Sequence, residues 1–341
     1  MSAQPTAPPK PIRSSDVPWE EYSEGTRFGG RYCHLTLAAM GKGYHVGVSI
    51  EELDPGKRTN PAHYHIFEEE HVYILEGALT AVIGAESFEM LAGDYVCFPA
   101  GQKAGHFLIN NGTSVCRYVM VGENNPNEVC VYTDSNKVLV RSLGRRAIFD
   151  MDAVRHYWHG EDTGVVQDAR EPGEVHAIDT APPRPPVSSV SVEWNIEGEG
   201  PRFGGRSKHL TYAAVGGPDY HVGMLIESPA PGMRLCPTHY HMLEEEHALI
   251  LEGEVTLIFG EERIPMQPGD YVCFPAGQKI GHSFMNSGTG PCSYLMIGER
   301  NPNDVCIYPD SNKMLVRALR TQQDIFDMSA TRRYFDGEDT G

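Results

Sequence analysis

The amino-acid sequence predicts an all-β protein built from two tandem copies of one barrel domain. Three observations support this class: the chain repeats itself at a fixed offset, its apolar segments are short with a period of two, and turn-forming residues separate them. With 341 residues the chain has the length of about two domains, so each copy is long enough to bury a core of its own.

The internal repeat defines the domain organisation. The segment GDYVCFPAGQK occurs at residues 93–103 and again at 269–279, an offset of 176, and each copy closes on GEDTG. Proline-rich stretches, TAPPKP and TAPPRP, precede the two copies and are expected to be extended. We therefore predict a flexible leader at 1–15, an N-terminal barrel at 16–160, a linker at 161–190 and a C-terminal barrel at 191–341.

Short runs of β-branched and aromatic residues predict the strands of each copy. In the first copy these runs are YHVGVSI, VYILEG, LTAVIG, DYVCFPA, HFLIN, CRYVMVG, VCVY and KVLVRSL. Eight such strands in about 150 residues favour a closed or double-sheet jelly-roll barrel, which leaves few strand edges exposed. Only the segments after Arg145 and Arg320 show a weak helical pattern.

Charge and cysteine usage narrow the expected partners and compartment. The chain has 28 Lys and Arg against 46 Asp and Glu, a formal charge of -18, which disfavours nucleic acid as a partner. Its first residues do not show the pattern of a signal peptide, and the sequence contains no apolar run long enough to span a membrane. No membrane association is therefore expected. The eight cysteines form no C-x-x-C pair and are interpreted as free thiols, which favours the cytoplasm.

Four residues of the first copy have the spacing of a metal site. His63 and His65 are two residues apart on a predicted strand, so both rings point to one face. Glu70 follows five residues later, and His106 lies on a later strand. The second copy repeats the set as His239, His241, Glu246 and His282. Three imidazoles and one carboxylate that converge inside a barrel can hold a divalent metal with positions left open for substrate.

The segments around these residues resemble the two motifs of the cupin superfamily. The first motif is GKRTNPAHYHIFEEEHVYILEG at 56–77, and the second is GDYVCFPAG at 93–101 followed by HFLIN at 106–110; both recur in the second copy. The first gap has one residue more than usual, and four residues instead of two separate the P-x-G turn from the last histidine, which predicts a wider loop. By this resemblance the chain is identified as a bicupin.

The resemblance also implies a cofactor and an assembly. Each set of three histidines and one glutamate is expected to hold one divalent metal ion, with iron or manganese favoured and nickel, zinc or copper as alternatives. The two barrels are expected to form an intramolecular pseudo-dimer, and a further homo-oligomer remains open.

Acidic and imidazole side chains next to the assigned ligands are possible alternatives to them. Glu69 and Glu245 are adjacent alternatives, but the spacing of six residues to the next glycine favours Glu70 and Glu246. His71 and His247 directly follow the ligand glutamates, so strand alternation is expected to turn them away from the metal.

The resemblance favours an enzyme that acts on a small oxygenated molecule. Oxygenation, decarboxylation and isomerisation all suit such a centre, with a small-molecule substrate as the partner. Arg58 and Arg234 precede the H-x-H pairs by five residues and are candidates for binding a substrate carboxylate, with a surface role as the alternative. The alternative function is a non-catalytic, metal-dependent protein that binds or senses a small molecule.

Overall fold

The computed structural model describes residues 10–144, 147–162, 182–319 and 324–338. Strands dominate these residues, which confirms the predicted all-β class. In the first half the strands are β1 (Ile12–Arg13), β2 (Glu20–Glu24), β3 (Phe28–His34), β4 (Val46–Leu53), β5 (His63–His65), β6 (Glu70–Glu76), β7 (Ala78–Ile83), β8 (Glu86–Leu91), β9 (Asp94–Phe98), β10 (His106–Ile109), β11 (Cys116–Glu123), β12 (Val129–Tyr132), β13 (Lys137–Val140) and β14 (Ile148–Asp150).

The second half repeats this order. Its strands are β15 (Val187–Ser188), β16 (Asn195–Glu199), β17 (Phe203–His209), β18 (Val222–Pro229), β19 (Tyr240–His241), β20 (Glu246–Glu252), β21 (Val255–Phe259), β22 (Glu262–Met266), β23 (Asp270–Phe274), β24 (His282–Asn286), β25 (Ser293–Glu299), β26 (Val305–Tyr308), β27 (Lys313–Val316) and β28 (Ile325–Asp327). The helices are α1 (Leu35–Met40) and α2 (Leu210–Val215), with short 3-10 turns at Ser14–Asp16, Arg141–Leu143, Pro309–Ser311 and Arg317–Leu319.

The contacts divide the chain into two compact units. The N-unit comprises residues 21–32 and 51–186, and the C-unit comprises residues 1–20, 33–50 and 187–341. The division falls within β3 and β4, so α1 is grouped with the C-unit although it belongs to the first sequence copy. The predicted domain boundaries follow the sequence repeat, whereas these units follow contacts in space.

The N-unit is a two-sheet barrel. One antiparallel sheet has the spatial order β14–β13–β12–β5–β10–β7–β8. In the other sheet, β9, β6 and β11 are neighbours in that order. Alternate side chains of both sheets point inward and form one apolar core, because successive residues of a strand face opposite sides. That core comprises Leu53, Val72, Ile74, Leu79, Ala81, Ile83, Met90, Val96, Phe98, Ala104, Leu108, Cys116 and Tyr118.

The C-unit has the same architecture. Its largest sheet has the order β1–β23–β20–β25–β18–β17–β16, and its other sheets have the orders β19–β26–β27–β28 and β22–β21–β24. Its core comprises Ala248, Ile250, Val255, Leu257, Phe259, Met266, Val272, Phe274, Phe284, Cys292 and Tyr294. Each unit therefore has an apolar core of its own.

Two short helices were not predicted. The His34 ring accepts a hydrogen bond from the Leu37 amide at 3.2 Å and caps α1, and Gly41 ends the helix with φ 77°. His209 caps α2 in the same way, with Gly216 at its end. A helix of six residues is too short to show a periodic apolar pattern.

The helical pattern expected after Arg145 and Arg320 was wrong. Within residues 147–162 the chain forms β14, which pairs with β13, and within 324–338 it forms β28, which pairs with β27. Pairing with a neighbouring strand overrides the weak local helical preference. Among the described residues, no helix has the length and apolar character needed to cross a membrane.

Candidate metal centres

In the N-unit the four predicted ligands converge at one point. Strand β5 supplies His63 and His65, β6 supplies Glu70, and β10 supplies His106 directly opposite His63. The Nε2 atoms of His63 and His65 each lie 3.5 Å from Glu70 Oε2, and His106 Nε2 lies 2.9 Å from the same oxygen. Three ring nitrogens thus point at one carboxylate oxygen. Together these four atoms are a donor set that can hold a divalent metal.

The C-unit repeats this geometry closely. His239 Nε2 lies 3.5 Å from Glu246 Oε2, His241 Nε2 lies 3.4 Å away and His282 Nε2 lies 2.8 Å away. His239 and His282 are bridged across neighbouring strands, as His63 and His106 are in the N-unit. Both units therefore bring together the residues that the sequence selected.

The far nitrogen of each H-x-H ring is held by a hydrogen bond. His63 and His239 donate Nδ1–H to the carbonyl of the proline two residues earlier, at 3.0 and 2.8 Å. His65 Nδ1 donates to Glu128 at 3.2 Å, and His241 Nδ1 donates to Asp304 at 2.7 Å. These bonds fix the tautomer that leaves Nε2 free as a ligand, and a carboxylate partner also makes the ring a better donor.

The third histidine is positioned by stacking. The His106 ring lies on the Phe98 ring with centroids 3.9 Å apart and planes 3° apart, and His282 lies on Phe274 at 3.6 Å and 2°. Both phenylalanines come from the DYVCF segment of the second motif. The stacking explains why an aromatic residue stands at that position of the repeat.

The electrostatics of each centre keep its glutamate ionised, which favours a bound cation. Burial raises the pKa of the Glu70 carboxyl, but His65 and the other imidazoles outweigh burial and hold it well below its usual range; Glu246 behaves in the same way. Burial lowers the pKa of His65, but Glu70 and Glu128 raise it to about 10. Burial lowers the pKa of His106 to about 4, so this ring is neutral and suited to ligation.

An ion pair borders each centre. Arg141 Nη2 lies 2.9 Å from Glu68 Oε2 in the N-unit, and Arg317 Nη2 lies 3.0 Å from Glu244 Oε2 in the C-unit. A second guanidinium nitrogen contacts the other carboxylate oxygen of each pair, so the pairs are bidentate. Their charges are therefore largely balanced locally.

A cleft leads to the C-unit centre. It has a volume of about 1070 Å³, and His241 and Glu246 lie among the residues that line it. Its walls also include Glu227, Arg300 and Arg317. The volume is slightly above the range of about 300–1000 Å³ that is common for small-molecule sites.

Sequence reasoning missed a half-buried carboxyl beside each centre. Burial, together with Glu197 and Glu246, raises the pKa of Glu227 to about 7 although it is hydrogen-bonded to Tyr294. The equivalent Glu51 accepts a hydrogen bond from the Tyr118 hydroxyl at 2.8 Å, and burial raises its pKa to about 7 as well. A glutamate repeated on an otherwise apolar strand, as in SIEEL and LIESP, was the available indication.

The two candidate substrate-binding arginines lie against aromatic rings. The Arg58 guanidinium lies 3.7 Å from the centroid of the Phe107 ring, and Arg58 Nε donates to the Asn60 carbonyl at 3.2 Å. Arg234 lies 4.8 Å from the centroid of the Phe203 ring. The cleft of the C-unit is lined by Arg300 and Arg317 rather than by Arg234, and a substrate role for Arg58 or Arg234 stays a prediction.

Comparison with known proteins agrees with this architecture. A family profile described as the cupin domain matches residues 49–122 and 225–298. The chain is 23% identical over 264 residues to quercetin 2,3-dioxygenase from Bacillus subtilis strain 168, covering 74% of each protein.

Two solved structures of oxalate decarboxylase also resemble the chain. A variant of the Bacillus subtilis protein is 17% identical with a TM-score of 0.52, covering 88% of this chain and 79% of that one. The formate complex of the Lactobacillus farciminis protein is 16% identical with a TM-score of 0.52, covering 86% of this chain and 87% of that one. At these identities the likeness shows the fold. The two family matches, one in each copy, show that the chain is a bicupin of the cupin family.

Proposed function

We propose that the protein is a metal-dependent enzyme that acts on a small oxygenated acid in the cleft of the C-unit. The observation that carries this proposal is that one cleft brings together Glu246 and His241, the shifted carboxyl of Glu227 and the Arg300 guanidinium. The cleft that would hold the substrate is then bordered by a metal position, a proton-transfer group and a cation. The similarity to quercetin 2,3-dioxygenase and to oxalate decarboxylase supports metal-dependent chemistry on a small molecule.

Eight residues would hold two divalent ions, one in each unit. Imidazole and carboxylate donors suit iron or manganese, and nickel, zinc or copper would compete for the same sites. The N-unit ligands are His63, His65, Glu70 and His106, and the C-unit ligands are His239, His241, Glu246 and His282. A bound ion would supply Lewis-acid polarisation or oxygen activation, which fits oxygenation, decarboxylation or isomerisation.

Arg300 is the residue that would bind a substrate carboxylate. Arg317 is already paired with Glu244, whereas Arg300 lies over the Tyr220 ring and donates to the Tyr220 hydroxyl at 3.2 Å, which leaves its charge unbalanced by that contact. The N-unit has Asn124 at the equivalent position of the repeat. We therefore assign the binding of anionic substrate to the C-unit.

Glu227 would move the proton. A carboxyl with a pKa near neutrality can both hold and release a proton at physiological pH, which is the property of a general acid or base. Its position in the wall of the cleft gives it access to bound substrate. Glu51 would be its counterpart in the N-unit.

The test is a substrate screen with matched variants. Protein loaded with Fe²⁺ or Mn²⁺ would be incubated with hydroxy-, keto- and dicarboxylic acids and with enol-containing aromatics, and products would be measured by mass spectrometry and oxygen uptake. We expect Glu246→Gln to lower turnover by more than about 100-fold and the matched Glu70→Gln to retain most of it. Arg300→Ala should raise KM by about 10-fold or more with a smaller effect on kcat. Saturable binding of an acid without turnover would instead establish a binding or sensing protein.

A further inference from the structure

A second cluster of ligand-type side chains lies on the other face of the strand that supplies Glu70. In the N-unit, Glu69, His71 and Cys97 place a carboxylate oxygen, a ring nitrogen and a thiol sulphur within 4.8 Å of one another, and all three residues are buried. His71 on β6 and the preceding Glu69 flank Glu70 and point away from the first centre, and β9 places Cys97 directly opposite His71.

The C-unit has Glu245, His247 and Cys273 at the equivalent positions of the repeat. These residues are 2%, 0% and 0% exposed, and His247 pairs with Cys273 across β20 and β23. His247 Nδ1 forms a hydrogen bond of 2.7 Å with the Tyr271 hydroxyl, which is bonded in turn to Thr36 at 2.7 Å. The ring is therefore fixed with Nε2 directed at the cluster.

The second ring nitrogen of His247 has no hydrogen bond. Its Nε2 lies 3.8 Å from Glu245 Oε2, which is too long for a hydrogen bond, and no other partner is found for it among the described residues. A buried polar atom left unpaired costs about 1–3 kcal/mol. A cation between Nε2, the carboxylate and the sulphur would remove that cost.

We propose that each unit holds a second, structural metal ion, bound by glutamate, histidine and cysteine, and that this ion is Zn²⁺. One thiolate and one carboxylate balance a divalent charge, so the complete site is neutral, as a fully buried site requires. Sulphur and imidazole donors favour Zn²⁺ over the hard cations. On binding, the metal–sulphur bond forms as the thiol proton leaves to solvent.

In the C-unit this ion would connect strand β20 to the segment of residues 33–50. Glu245 Oε2 accepts hydrogen bonds from the backbone amides of His45 at 2.8 Å and Val46 at 3.1 Å. A metal bound to the Glu245 carboxylate would therefore fix the group on which that segment is hydrogen-bonded. The role is structural, because the residues are closed to solvent.

Cobalt substitution tests the proposal, because Co²⁺ bound to a thiolate gives a charge-transfer absorption in the near ultraviolet that imidazole and carboxylate ligands do not give. We expect this absorption in the wild-type protein, together with two ions per chain beyond those at the first centres. The double variant Cys97→Ser with Cys273→Ser should lose the absorption and two ions. His63→Ala with His239→Ala should retain the absorption.

Two further double variants test which cysteine sulphur atoms give the cobalt absorption. Cys130 lies within 4.8 Å of ligand atoms of His63 and His65, so Cys130→Ser with Cys306→Ser tests whether the first centres produce the absorption. Cys116→Ser with Cys292→Ser changes buried thiols outside both clusters and serves as the matched control. Absence of the absorption in metal-replete wild-type protein, or its loss only with Cys130 and Cys306, would overturn the proposal.

Discussion

At the scale of single residues, the two candidate centres have the same proposed ligands but differ in the side chains around them. The rings that point at Glu70 and Glu246 are held in the same way, yet three neighbouring positions carry different side chains in the two copies. These pairs are Asn60 and Cys236, Asn124 and Arg300, and Glu128 and Asp304. Because groups around a metal set its affinity and its substrate, the two centres are expected to differ in both properties.

Replacement of Asp304 by asparagine tests the role of the carboxylate behind His241. The short bond of 2.7 Å fixes the His241 ring and increases its basicity, so Asp304→Asn should weaken metal binding in the C-unit by about 10–100-fold. Titration of Mn²⁺ followed by electron paramagnetic resonance would measure the affinity. The exposed Asp310→Asn is the control, and an unchanged affinity of the Asp304 variant would argue against this role.

The sequence was sufficient to select the candidate ligands that converge in each unit, but not the residues that hold them by hydrogen bonds. His63, His65 and Glu70 lie within eight residues, where strand alternation and motif spacing determine which side chains share a face. Glu128 and Asp304 are each 63 residues from the histidine that they hold, so only the register of β5 with β12 and of β19 with β26 brings them together. Such register is a property of the folded sheet.

At the scale of elements, the glycines of the first motif have different tasks. Gly232 and Gly253 both have positive φ, at 76° and 78°. A Cβ on Gly232 would meet open space, whereas a Cβ on Gly253 would overlap the Pro291 carbonyl oxygen and lie 2.7 Å from Cys292 Cβ. The motif therefore combines a turn that needs glycine only for its backbone with a close approach of two chain segments.

Alanine substitution separates these two tasks. Gly232→Ala should cost about 1–2 kcal/mol of unfolding free energy through the left-handed backbone alone. Gly253→Ala should cost about 2–4 kcal/mol, because overlap with the neighbouring backbone adds to the same strain. Urea denaturation of both variants would measure the difference, and equal costs would contradict the assigned overlap.

The segment of residues 33–50 contributes stability that depends on pH. His45 Nδ1 lies 2.9 Å from Glu299 Oε2, and this hydrogen bond, opposed by burial and supported by the charges of Glu299 and Glu245, raises the pKa of His45 to about 9. Because the pKa is higher in the folded than in the unfolded state, the stabilisation is complete below about pH 6.5 and is lost as the pH rises through about 9.

His45→Gln should remove this dependence. The side chain is 51% exposed, so the effect is limited to less than about 1 kcal/mol at low pH. Denaturation of chelated wild-type and variant proteins at several pH values would reveal it. A difference between the two proteins that is the same on both sides of pH 9 would exclude His45 as the titrating group.

At the scale of the whole molecule, the net charge bears on substrate binding, whereas the two apolar cores bear on folding. The formal charge of -18 disfavours anions at long range, so the proposed anionic substrate would have to be attracted locally, by the proposed metal and by Arg300. Neither apolar core includes the residues proposed as metal ligands. Each barrel is therefore expected to fold through apolar burial, with the proposed metals adding to its stability.

Chelation should lower the melting temperature without unfolding the protein at room temperature. A ligand at 100 times its dissociation constant adds about 2.7 kcal/mol, and each kcal/mol shifts the midpoint of a domain of this size by about 2–4 °C. Removal of metal should then lower the midpoint by roughly 5–15 °C while the β spectrum at about 25 °C persists, as circular dichroism before and after prolonged chelation would show. The double variant Glu70→Gln with Glu246→Gln should show a smaller shift, because its first centres bind metal weakly from the outset. Loss of the β spectrum on chelation would mean that metal, rather than the two apolar cores, holds the barrels folded.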